Sequence, residues 1–296
     1  MGLEGQVAFI TGASRGIGRA IAERLARAGV HCVIAAKTVA PHPRLPGTIG
    51  DVAEACRAAG AEALALPVDV RRPAELAAAV ERAVSHFGRL DIAIHNAGAL
   101  WWKPIADTPI EKFDLVMEVN VRGAFALAHA ALPHLVKSGG HFIAMGAPLD
   151  PAAGAPGDVI ARIAAALPGK TAYLISKSGM TMVARGLAGE QPKIASNSLW
   201  PETLIQSSAT ENFGLGGPAF WYKADLVADA VFELVSAPRN ERPTGRDLLV
   251  LEYLRERGYT DFTAYRCDPD REPPIIGITQ VPRAGGNERA DGKSLN

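Results

Sequence analysis

Cysteine is nearly absent: Cys32, Cys56 and Cys267 are the only three in 296 residues, odd in number and without metal-ligand spacing. That excludes a disulfide framework and a thiolate metal centre, and it suits reduced thiols in a cytoplasmic setting. Net charge is absent as well. Lys+Arg and Asp+Glu stand at 31 each, so the chain lacks the electrostatic footprint of a nucleic-acid or anionic-lipid binder. No apolar run reaches the length that crosses a bilayer. The opening MGLEGQVAFITGAS enters a strand-like stretch without the basic, apolar, small-residue order of a targeting segment. The expectation is a cytoplasmic protein acting on a small molecule, with no nucleic-acid and no membrane partner.

What is abundant is apolar sequence in short bursts, 48% of the chain, enough for a sizeable core. Strand-like runs near 6–11 (QVAFIT), 31–36 (HCVIAA), 62–68, 91–95, 140–146 (GHFIAMG), 193–200 (KIASNSLW) and 247–251 alternate with helical segments near 16–28, 50–59, 73–86, 109–137, 171–188 and 223–236. Short, continuous apolar strands divided by helices mark a mainly parallel sheet covered on both faces. The fold class is therefore α/β, a single doubly wound Rossmann domain of about seven strands over residues 1–266. Two segments break the rhythm. The Pro-, Gly- and Ala-rich excursion 147–169 follows the carboxyl end of a strand, where such sheets bind ligands, and is expected to form a lid or pocket wall; tolerated surface is the alternative. Residues 267–296 lose periodicity and form a tail whose last part is expected to be disordered.

Directly after the first strand, TGASRGIG (11–18) opens a helix. Gly12 permits the turn, Gly16 and Gly18 allow close backbone approach, and the helix start offers free N–H groups to an anion. In that context the motif points to a dinucleotide. The second strand ends Ala35-Ala36-Lys37, without the carboxylate that holds the ribose hydroxyls of NAD(H), and Arg15 sits inside the glycine loop. Two cations and no anion favour a 2'-phosphate, hence NADP(H) over NAD(H), although Lys37 alone also fits a solvated loop. Asp69 ends the third strand and is placed to accept from the adenine amino group or to cap the next helix. In HNAG (95–98), Asn96 locks a turn and Gly98 allows close approach.

TGASRGIG, Asp69, Asn96-Ala97-Gly98, Asn120 in VNVRG and Tyr173-x-x-x-Lys177 follow one another in an order that resembles the short-chain dehydrogenase/reductase family, over about 200 residues. AAKTVAPHPRLPGTI and SLWPET further resemble its hydroxysteroid-dehydrogenase-like branch, whose longer members add a sterol-carrier domain not expected here. The resemblance implies a cofactor set of Gly12, Ser14, Arg15, Gly16, Ile17, Gly18, Lys37, Asp69, Val70, Asn96, Ala97, Gly98, Tyr173, Lys177 and Leu204, and a catalytic set of Tyr173, Lys177 and Asn120. A phenol ordinarily titrates near 10, and the neighbouring Lys177 ammonium and an oxidised nicotinamide are expected to lower it toward a useful range. Tyr173 would then exchange a proton with the substrate oxygen while hydride moves. Lys177 would also bond the nicotinamide ribose, and Asn120 would hold a proton-relay water, a partly exposed helix residue being its alternative. The family also implies a homodimer or homotetramer, paired through the helices at 109–137 and 171–188.

Two family features are missing. Where a serine hydroxyl should point at the substrate oxygen, the fifth strand ends in Gly146 and Ala147. Asp150, Asp158 or a backbone N–H of 147–169 are candidate substitutes; Thr171 lies on the wrong helical face, and Ser176 suits packing. Pro201-Glu202 replaces the usual Pro-Gly before the nicotinamide loop. Leu100, Trp101, Trp102, Trp200 and Phe220-Trp221-Tyr222 are candidates for an apolar substrate pocket, with core packing as the alternative. The sequence therefore supports a carbonyl–alcohol oxidoreductase on an apolar small molecule. Its competitors are a non-redox NADP(H)-binding protein that lost the serine and a proton-transfer enzyme for isomerisation or elimination.

Overall fold

Five consecutive apolar or β-branched residues, Val7–Thr11, are all buried, so strand β1 needs partners on both edges and cover on both faces. It has them. In the computed structural model, which describes residues 2–42, 46–149 and 168–275, β1 pairs in parallel with β2 (His31–Ala36) and with β4 (Ile92–His95). The sheet continues through β3 (Ala63–Pro67), β5 (His141–Ala144), β6 (Ala195–Trp200) and β9 (Asp247–Leu249) in the order β3-β2-β1-β4-β5-β6-β9. Every pairing in it is parallel. The order reverses between β1 and β4, and the crevice at their carboxyl ends is where such sheets hold ligands.

Helices α1 (Gly16–Ala26), α2 (Ile49–Ala58), α8 (Asp225–Ser236) and α9 (Val250–Glu256) pack together on one face. On the other lie α3 (Pro73–Phe87), α5 (Gly123–Ser138) and α6 (Thr171–Glu190). Local sequence sets their limits. Thr48 and Asp51 form a reciprocal capping box on α2, and α3 starts at Pro73 and stops at Gly88, whose φ of 77° suits glycine. A short α7 (Ser208–Asn212) and a two-strand parallel ribbon, β7 (Leu204–Ile205) with β8 (Trp221–Tyr222), cover the sheet's carboxyl end.

Two expectations change. The helix predicted over 109–137 is one rod from Ile110 to Ser138, but α4 (Ile110–Val116) passes into a π-helical stretch, Met117–Arg122, before α5. This rod does have the length and apolarity of a membrane span, contrary to the sequence expectation. Its apolar residues Ala124, Leu127, Ala131 and Leu135 are buried in the core, which accounts for the composition locally. The last strand ends at Leu249 rather than 251, because the Glu202 carboxylate accepts from the N–H groups of Leu251 and Glu252 and caps α9 there. The first residues of the tail are tied to the domain: Cys267 N–H donates to Trp221 O, and the Tyr222 hydroxyl donates to Glu272 at 2.6 Å. Residues 276–296 lie outside the described residues, as do 150–167, most of the predicted excursion.

Candidate active site

The glycine turn is built against the NAG turn. A Cβ on Gly12 would meet Ala97 Cα at 2.7 Å, and one on Gly18 would meet Gly12 O at 2.6 Å, so neither tolerates a side chain. Asn96 Nδ2 donates to the carbonyls of Thr11 (3.1 Å) and Gly12 (3.2 Å), while the Thr11 hydroxyl accepts from the N–H groups of Asn96 and Ala97. Asn96 thus locks the two turns together. The start of α1 has no side-chain cap, leaving its N–H groups to an anion. Arg15 turns away to donate to Thr38 Oγ1 (2.8 Å) and Pro46 O (3.1 Å), which parks its guanidinium at the end of β2 beside the segment after Lys37. Ser14 is buried in the turn, and Lys37 is exposed.

Asp69 does not present a free carboxylate. Arg71 grips it through Nε (3.0 and 3.1 Å) and Nη2 (2.6 Å), and with Lys37 nearby its carboxyl stays below the usual range. Nor does it cap α3, whose cap position is Arg72. Arg71 is a third cation at this end that sequence spacing did not flag. Val70, next in line, is buried against Gly123.

At the other end, β4 and α6 bring Gly98, Tyr173 and Lys177 to one cavity of about 270 Å³, lined mainly by apolar atoms. Ile17, Asn96, Leu100, Trp102, Trp200 and Leu204 also line it. Lys177 Nζ is buried, donates to Met145 O at 2.7 Å and lies 5.9 Å from the centre of the Tyr173 ring. Burial lowers its pKa to about 8. In the chain alone, without a nicotinamide beside it, burial pushes the Tyr173 phenol up.

Asn120 sits in the π-helical stretch, where the widened turn aims its side chain into the protein. Its Oδ1 accepts from Ala99 N–H (2.7 Å), and its Nδ2 donates to Ala99 O (3.0 Å) and to Ser176 Oγ (2.8 Å). The Ser176 hydroxyl donates to Tyr173 O at 2.7 Å. The asparagine side chain therefore forms a clamp between the NAG turn and the tyrosine helix. Behind it, His95 Nε2–H donates to Val119 O (3.0 Å), and burial, with a smaller push from Lys177, holds this ring neutral with a pKa of about 3.

The two serine-replacing positions are not equivalent. A Cβ on Gly146 would stand 2.9 Å from both Lys177 O and Thr181 N, so no side chain fits there. Ala147 does carry a Cβ, and it packs with Leu174, Tyr173 and Trp200 in a small apolar cluster apart from the main core. A methyl thus occupies the place beside Tyr173 where a hydroxyl was expected. Asp150 and Asp158 lie outside the described residues. Of the aromatic candidates, Trp101 donates to Thr108 Oγ1 instead of lining the cavity, and Phe220-Trp221-Tyr222 form a turn and β8, with Trp221 and Tyr222 buried as packing. Trp102 and Trp200 flank Tyr173, with ring centres 5.9 and 6.4 Å away. Two residues that line the cavity, Trp102, which the sequence flagged as a pocket aromatic, and Thr203, which it did not, carry donors, Nε1–H and Oγ1–H, that are buried without a hydrogen-bond partner among the described residues. An unsatisfied buried donor costs roughly 1–3 kcal/mol, so such groups call for an explanation.

Comparison with known proteins agrees with this geometry. A family profile described as short chain dehydrogenase matches residues 6–156. Human hydroxysteroid dehydrogenase-like protein 2 is 39% identical over 95% of this chain, which spans 65% of that protein's length. The crystal structure of a Xanthomonas campestris protein superimposes with a TM-score of 0.84 at 38% identity, covering 93% of this chain and 99% of that one. A short chain dehydrogenase from Mycobacterium thermoresistibile gives 0.82 at 36% identity, over 96% and 98%. Two more distant solved relatives, each 26% identical, were crystallised one with 5-hydroxy-NADP and the other with NAD. The profile match and the near-complete overlap with solved relatives establish that this chain belongs to the short-chain dehydrogenase family of oxidoreductases.

Proposed function

We propose that the protein is an NADP(H)-dependent oxidoreductase that interconverts a carbonyl and an alcohol on an apolar small molecule. The observation that carries this reading is the convergence of Tyr173, buried Lys177 and the Met145 carbonyl in one mainly apolar cavity, next to a glycine turn that excludes side chains. The residues fit a dinucleotide. The uncapped start of α1 with Gly12, Ser14, Gly16, Ile17 and Gly18 would hold the pyrophosphate, and Arg15 and Lys37 at the end of β2 would meet a 2'-phosphate. Asp69, through its neighbouring backbone, and Val70 would border the adenine. Asn96, Ala97, Gly98, Lys177 and Leu204 would surround the nicotinamide ribose. The nicotinamide supplies or accepts the hydride.

The chain supplies the proton. Because burial keeps the Tyr173 phenol protonated, it can donate directly to a carbonyl oxygen, and reduction needs no prior ionisation of the site. Lys177, with a pKa of about 8, still carries its proton at neutral pH and offsets charge that develops on the phenolate as the proton leaves. Asn120 holds the NAG turn against the tyrosine helix and so fixes the distance between the two halves. A homodimer or homotetramer in the cytoplasm completes the proposal. It is supported by exposed Ile110 and Phe125 on the Ile110–Ser138 rod, by exposed Ile175 and Met182 on α6, and by three free cysteines.

The test is NADPH oxidation by the purified protein against apolar ketones and aldehydes, run beside Tyr173→Phe. The proposal expects turnover that falls by about 10²–10⁴-fold in the variant. A second reading, a protein that binds NADP(H) without redox chemistry, is favoured by Ala147 in place of the serine. It expects NADPH binding by fluorescence titration, no turnover with any carbonyl, and indifference to Tyr173→Phe.

A further inference from the structure

The donors that line the cavity are nearly all committed elsewhere. The Asn96 amide is held by Thr11 and Gly12, and Lys177 Nζ donates to Met145 O. Ser207 and Thr210 close a capping box on α7. Trp102 Nε1–H and the Thr203 hydroxyl are the two buried donors at the cavity with no partner among the described residues. They stand in different places. Thr203 precedes β7 in the segment assigned above to the nicotinamide, whereas the Trp102 ring meets the Tyr173 ring edge-on, 5.9 Å between centres at 69°. Lys170 Nζ lies 5.3 Å from the centre of the indole and helps hold it in place.

Resting on the oxidoreductase reading, we propose that the indole Nε1–H of Trp102 holds the substrate oxygen beside Tyr173, in place of the hydroxyl that Ala147 lacks. The chemistry suits the task. An indole N–H only donates and never ionises at working pH, so it can fix a carbonyl or alcohol oxygen without competing with Tyr173 for the transferred proton. In an apolar cavity it is satisfied only when an acceptor arrives, which selects carbonyls and alcohols over hydrocarbons of the same shape. The binding step makes and breaks no covalent bond. During reduction, hydride reaches the carbonyl carbon, Tyr173 delivers the proton to the oxygen, and the indole keeps its own.

The experiment follows the indole N–H resonances of the four tryptophans in the ¹⁵N-labelled protein. The Trp102 signal is identified by its loss in Trp102→Phe, which keeps a ring against Tyr173. Cyclohexanone added with NADP⁺, a combination that cannot turn over, is expected to move the Trp102 N–H proton downfield and slow its exchange with solvent. Methylenecyclohexane, the same shape without an oxygen, is expected to leave it in place. In NADPH oxidation, Trp102→Phe should lower kcat by about 10²-fold with NADPH affinity unchanged, and Ala147→Ser in that background should restore part of the rate. An unmoved Trp102 resonance, an equal shift with the hydrocarbon, or a Trp102→Phe enzyme at the wild-type rate overturns the proposal. So does a loss of kcat confined to Thr203→Val, which would give the oxygen to the threonine. A ketone-specific shift in a protein that oxidises no NADPH with any carbonyl would retain the indole as donor and defeat the oxidoreductase reading instead.

Discussion

The two halves of the site are finished to different degrees. Around the glycine turn the polar side chains close on the protein itself, Asn96 on two carbonyls, Thr11 on two N–H groups, Arg15 on Thr38 and Pro46, Asp69 on Arg71, and only the backbone N–H groups at the start of α1 are left to a ligand. Around Tyr173 the opposite holds. A buried lysine and a phenol with a raised pKa line one cavity, and Trp102 and Thr203, which also line it, leave an indole N–H and a hydroxyl buried with no partner among the described residues. The first half is stable before any ligand arrives, while the second stores unmet interactions for a ligand to complete. Unpaired groups elsewhere, such as Ser198 and His141, do not line the cavity and carry no such meaning.

The largest effect that sharpens this contrast comes from Lys177→Met. Turnover should fall by about 10²-fold or more, while the ligand-free protein becomes more stable by roughly 1–3 kcal/mol at pH 7, because an ammonium held at a pKa of about 8 opposes folding. The sign follows from linkage. Between about pH 8 and the ordinary lysine value the unfolded chain binds the extra proton, so wild-type stability rises with pH there, and the variant should lose that slope in thermal melts. A lower melting temperature for Lys177→Met would remove the idea that the site is held under cost.

Next in size is the pair Gly146→Ser and Ala147→Ser. The first forces a Cβ to 2.9 Å from the backbone of Lys177 and Thr181 and should destabilise by roughly 1–3 kcal/mol. The second replaces a methyl already beside Tyr173 and should leave the melting temperature within a few degrees. Equal behaviour of the two variants in calorimetry would contradict the packing described for this strand end.

Acid reports on the buried histidines. His95 and His141 are held neutral with pKa values of about 3, both chiefly by burial. Below about pH 6.5 the unfolded chain takes up protons that the folded one refuses. Stability should therefore fall by about 1.4 kcal/mol per pH unit and per group as pH drops from 6.5 toward 3. His141, whose ring nitrogens both lack partners among the described residues, allows a clean check: His141→Val should remove one group's share of that slope in denaturant titrations at pH 5 and 7. The smallest effect expected is that of Arg15→Ala, a loss of roughly tenfold in the preference for NADPH over NADH, read from the two dissociation constants. An unchanged ratio would take the 2'-phosphate away from Arg15.

The legible part of the molecule is the part that periodicity and glycine control. Buried strands such as VAFIT and HCVIAA announce a parallel sheet, and TGASRGIG announces its turn, because both depend on residues adjacent in sequence. What stayed hidden depends on distant neighbours. Glu202 departs from the expected glycine because it caps a helix that begins 48 residues later, and nothing in PET reveals that. Asp69 is held by Arg71, two residues away, whose guanidinium folds back on it. The π-helical turn that redirects Asn120 and the unpaired indole of Trp102 arise only from packing, so residue type and spacing could name both residues and yet miss what each one holds.

The central claim, that this cavity is built for hydride and proton transfer, is tested most directly by isotope. The protein is incubated with NADPH deuterated at the transferable C4 position and a panel of apolar ketones, and the products are examined by mass spectrometry. The account predicts an alcohol carrying one deuterium at the former carbonyl carbon, formed by the wild type and at a rate at least about 10²-fold lower by Tyr173→Phe. Bound NADPH with no deuterium in any product would contradict it.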